Sequence, residues 1–66
     1  MNDLEKLKQL LHHWSEHNDE HAETYRDWAK KTYSLGNGEL SEILEKLCHE
    51  TKKLTVLLEE ARKKIG

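Results

Sequence analysis

The sequence predicts an all-α protein: an antiparallel two-helix hairpin that pairs with a second copy into a four-helix bundle. Three observations carry the prediction. The chain has no proline, its only glycines ahead of Gly66 bracket Asn37, and apolar residues recur at alternating spacings of three and four on both sides of that turn. Residues 1–66 form a single domain, too short to bury much apolar surface alone. With Cys48 as the only cysteine no internal disulfide can help, so a metal ion or a partner subunit is left as the stabilising addition.

The first helix is expected over about residues 3–35. Asn2 is its N-cap, Glu5 is the capping-box partner three residues on, and Gly36 suits the left-handed C-terminal cap. Within it Leu4, Leu7, Leu11, Trp14, Asn18, His21, Tyr25, Trp28, Thr32 and Leu35 hold heptad positions a and d without a slip. Trp14 and Trp28, with Tyr25 and Tyr33 close by, read as core. Ser15, Ala22 and Ala29 recur every seven residues. They either let another helix approach closely or are helix-forming filler.

The second helix, about residues 39–65, is capped by Asn37 or Gly38. It repeats the rhythm in Leu40, Leu44, Leu47, Thr51, Leu54, Leu58, Ala61 and Ile65. Glu39 and Glu42 lie near its positive end, and Arg62, Lys63 and Lys64 near its negative end. A short turn at Asn37 sets residues whose numbers sum to about 74 at one height, placing His21 near Lys53 and Leu54, with Thr51 and Tyr25 about a turn away. Leu10, Ile43 and Leu57 add an apolar stripe that one hairpin cannot cover, hence the expected homodimer, with larger assemblies also open.

Charge is nearly balanced, 11 Lys and Arg against 13 Asp and Glu, and the basic pairs are scattered. A nucleic-acid partner asks for a concentrated basic face, so none is expected. Nothing resembles a signal segment or a membrane span, and one cysteine suits a reducing, cytoplasmic setting.

The candidate chemistry lies in HHWSEHNDEH, residues 12–21, which holds four of the five histidines. His13, His17 and His21 are spaced by fours, so their imidazoles share one helix face and neighbours can converge on a cation. In the heptad frame His13 points outward, His17 borders the seam and His21 lies in it. Glu16, Glu20 and Glu23 occupy the same turns, with Asn18 and Glu20 as auxiliary ligands or partners that orient the rings. Such a donor set suits nickel, copper, zinc or iron better than magnesium or calcium.

A competing reading makes Asn18, His21 and Thr51 a polar layer, with His21 bonded to Thr51 or Tyr25, in a structural or protein-interaction module whose outer histidines are solvated. Catalysis is not expected. His17 to His21 matches H-x-x-E-H, but a hairpin has little room for a peptidase cleft. The di-iron E-x-x-H and haem C-x-x-C-H patterns are missing. Cys48 reads as a small buried hydrophobe that could join a site only from the opposing helix, near the height of Arg26, and His49 diverges from it by about 100°.

The segment Leu10 to Lys31, LLHHWSEHNDEHAETYRDWAKK, resembles a small helical domain of nickel-handling accessory proteins, patterned H-W-x-x-H-N-x-x-H-A followed by an aromatic residue and W-A. His13, Trp14, His17, Asn18, His21, Ala22, Tyr25, Trp28 and Ala29 fit it. The likeness covers about a third of the chain; the second helix adds nothing to it, and the family's appended β-rich metal-binding domain has no counterpart here. It implies a metal-binding or metal-delivery role, places nickel ahead of the other candidates and suggests a metalloprotein client.

Overall fold

The structure, a computed structural model, describes residues 2–66. Helix α1 spans Asp3–Ser34 and helix α2 spans Gly38–Ile65. They pack along their whole length into a rod whose extents are 51 × 15 × 11 Å. Each end has a local chemical cause. The Asn2 side chain accepts the Glu5 amide at 2.8 Å, and the Asn37 side chain accepts the Leu40 amide at 3.1 Å. Between them Gly36 takes φ +86°, while the Gly36 and Asn37 amides donate back to the Tyr33 and Thr32 carbonyls. This is the paired bonding of a Schellman turn, which a side chain at Gly36 would strain.

The helices close on each other along position a and the position after d, called e. On α1 the buried residues are Leu11, Ser15, Ala22, Ala29 and Thr32; on α2 they are Ser41, Cys48 and Thr51. Ala22 and Ala29 are fully inaccessible. The small stripe therefore serves close helix approach, and the Ser41 hydroxyl comes near enough to donate to the Ala29 carbonyl at 2.8 Å. Cys48 is buried, as expected of a small hydrophobe.

Two sequence expectations are corrected here. Trp14 and Trp28 are not core residues of the hairpin, being 44% and 51% exposed. His21 is likewise exposed and outside the seam, and the Thr51 hydroxyl bonds to the Leu47 carbonyl at 2.7 Å. Both have one reason. Small residues at e draw the helices together on that side of a and turn the bulky d positions of both helices toward one open face.

Polar contacts fix the register. Asn18 Nδ2 donates to the Thr51 carbonyl at 2.7 Å and to Thr55 Oγ1 at 3.0 Å. Ser15 Oγ donates to Glu59 Oε1 at 2.6 Å, while Arg62 holds the other carboxylate oxygen at 2.8 Å. Lys52 Nζ bridges Asp19 at 3.1 Å and Glu23 at 2.7 Å. These links lie at the heights the turn dictates, that of Asn18 between the helices and those of Ser15 and Lys52 on the flank away from the open face.

The hydrogen bond from Lys52, then its charge, holds the Glu23 carboxyl below its ordinary range. Glu59 is lowered by Ser15 and then Arg62, and Lys52 is raised by Glu23 and Asp19. What the carboxylates contribute to stability is complete above about pH 4.3 and is lost as pH falls through their folded values. The Lys52 contribution is complete below about pH 10.4 and is lost as pH rises through its folded value. Lys52→Met should accordingly lower the melting temperature near neutrality and flatten its acid decline, followed by far-ultraviolet circular dichroism. Ala29→Leu should cost about 1–3 kcal/mol in chemical denaturation by forcing the helices apart, and Ala29→Ser much less.

Candidate metal centre

The unbroken 32-residue α1 carries the histidines one turn apart, so the helix alone sets their spacing. His13, His17 and His21 are all exposed. Adjacent rings form a ladder: His13 and His17 centroids are 4.8 Å apart with planes tilted by 51°, and His17 and His21 are 6.1 Å apart at 52°. Tyr25 extends it, stacked on His21 at 6.2 Å and 19°. The spacing of four from His21 was the available sign of that fourth ring, which the histidine pattern alone passes over.

His17 stands between two possible chelating partners, and His13 is the nearer. Among the described residues no three His, Cys, Asp or Glu side chains converge into a group able to hold an ion. A single chain therefore offers pairs sharing His17. The remaining candidates divide by face. Glu20 is exposed on the His13 side of the helix. Asn18, expected to assist the histidines, uses its amide nitrogen between the helices. Asp19 and Glu23 are engaged by Lys52, and His12 pairs with Glu16 at 2.7 Å, off the ladder. Cys48 is buried in the seam, and His49 is exposed.

The ladder opens onto the apolar face. Position d carries Leu7, Trp14, His21 and Trp28 along α1 and Leu35 at its C-cap, and Leu40, Leu47, Leu54 and Ala61 along α2. None of these bears a fixed charge, and all are exposed. Among the described residues no helix is long and apolar enough to cross a membrane.

The chain is 32% identical over 63 residues to an uncharacterized protein of Archaeoglobus fulgidus, a match covering 96% of this chain and all of the relative. No solved structure matches it. A family model described as a domain of unknown function, DUF8180, matches residues 7–65, and the chain belongs to that family.

Proposed function

We propose that the hairpin binds a transition-metal ion on the His13, His17 and His21 ladder and holds it for transfer, a binding role without catalysis. The observation that carries the reading is three imidazoles on successive turns of an exposed face, with adjacent rings 4.8 and 6.1 Å apart. Nitrogen donors four residues apart on a rigid helix need little reordering to take a cation. Glu20 supplies a nearby carboxylate, and this donor set suits nickel, copper or zinc. The likeness of Leu10 to Lys31 to a nickel-handling helical domain puts nickel first, with a cytoplasmic metalloprotein as the recipient.

The uncovered apolar face favours a second reading, a structural or interaction module whose histidines are merely solvated. Isothermal titration of untagged, chelator-stripped protein with nickel, copper and zinc separates the two. The parent should bind at least one of these ions and the His13/His17/His21 triple alanine variant should not. His17→Ala alone should weaken binding about tenfold or more, beyond either other single change, because both pairs share it. Equal heats from parent and triple variant would overturn the metal reading and leave the module.

A further inference from the structure

The open face reads nearly the same in both directions. Along α1 and its C-cap Leu35 the d positions run Leu7, Trp14, His21, Trp28, Leu35, symmetric about His21. Lys52 Nζ bridges Asp19 and Glu23, the residues two before and two after His21, so the level of His21 on α2 falls near Lys52. That level lies close to the midpoint of Leu47 and Leu54. Both stripes thus share one centre.

Such order suits a twofold interface, in which residue i of one copy meets residue j of the other and j meets i. We propose that the occupant of this face is a second copy of the chain, packed antiparallel with α1 on α1 about a twofold axis through His21. Leu7 then meets the copy's Leu35, Trp14 meets Trp28, Leu47 meets Leu54, and Ile43 lies over Leu57. Every one of these side chains is at least 38% exposed in the single hairpin.

Size and charge agree with this occupant. The broad face, 51 by 15 Å, is comparable to the ~800 Å² that each partner gives to a stable interface. The d positions hold no charged residue, and on the flanking row of Ile43 and Leu57 the axis passes near Glu50, whose carboxylate is paired with Lys53 at 3.2 Å. Among the described residues the buried apolar ones are only Leu11, Ala22, Ala29 and Cys48, little for an independent fold. On the metal reading above, on which this last consequence rests, the axis brings a second His21 to the centre and supplies ligands that one chain cannot.

The test is site-directed disulfide formation in a Cys48→Ala background, under chelator, beside light scattering of the unmodified protein. A residue on a twofold axis meets its own copy, so His21→Cys should oxidise to a covalent dimer. Trp14→Cys and Trp28→Cys should link when mixed and neither alone, and Glu16→Cys should not link. The unmodified protein should have the mass of two chains. A monomeric mass, or Trp14→Cys linking to itself as readily as to Trp28→Cys, would overturn the proposal. The His21→Cys variant has lost a proposed ligand, so its linkage reports assembly alone. A dimer that takes up no metal would support this interface while ending the metal reading; a monomer that binds metal would do the reverse.

Discussion

The close approach of the two helices along Ser15, Ala22 and Ala29 is the constraint from which the rest follows. Two α-helices carrying leucine at every contact sit farther apart than two that meet through alanine and serine. Here Ala22 and Ala29 are fully covered, and a hydroxyl of one helix reaches a backbone carbonyl of the other. That contact selects one side of the apolar stripe for the hairpin's interior. It thereby puts the tryptophans and His21 outside.

Two flanks with different chemistry result. One holds the links that set register: Lys52 with Asp19 and Glu23, and Glu59 with Ser15 and Arg62. Asn18, between Thr51 and Thr55, supplies the polar layer inside the hairpin. The other flank is apolar at d, with the imidazoles along it. Because the acidic side chains at 19 and 23 are tied across the helices, the exposed ladder is left to histidine, Glu20 and Tyr25. Nitrogen donors bordered by apolar side chains favour a borderline transition metal over a hard cation, and covering that face would strengthen the preference by excluding water.

Helix ends, caps, turn and register were legible because each depends on local chemistry. Asn2, Gly36 and Asn37 act through their own side chains or backbone freedom, and a three-residue connection leaves little choice of register. The same rule of heights contained the Ser15 to Glu59 and Asn18 to Thr55 links, though only side-chain geometry selects them from other pairs at those levels. The rotation of the helices was not legible. A heptad pattern marks a stripe but not which edge of it meets the sister helix, and side-chain volume at Ser15, Ala22 and Ala29 decided that. Hence Trp14, Trp28 and His21 fell on the open side of a seam they were expected to fill. The ladder's spacing was fully legible, since an uninterrupted helix converts intervals of four directly into neighbouring rings.

Tryptophan emission during copper(II) titration tests most directly whether this one face carries the chemistry. Trp14 and Trp28 each lie about 10 Å along the helix from His21, close enough for a bound paramagnetic ion to quench them. Saturable quenching is expected in the parent, reversed by chelator and absent from the His13/His17/His21 triple alanine variant, with helicity unchanged throughout. Emission that ignores the metal, or that falls equally in parent and variant, would contradict it.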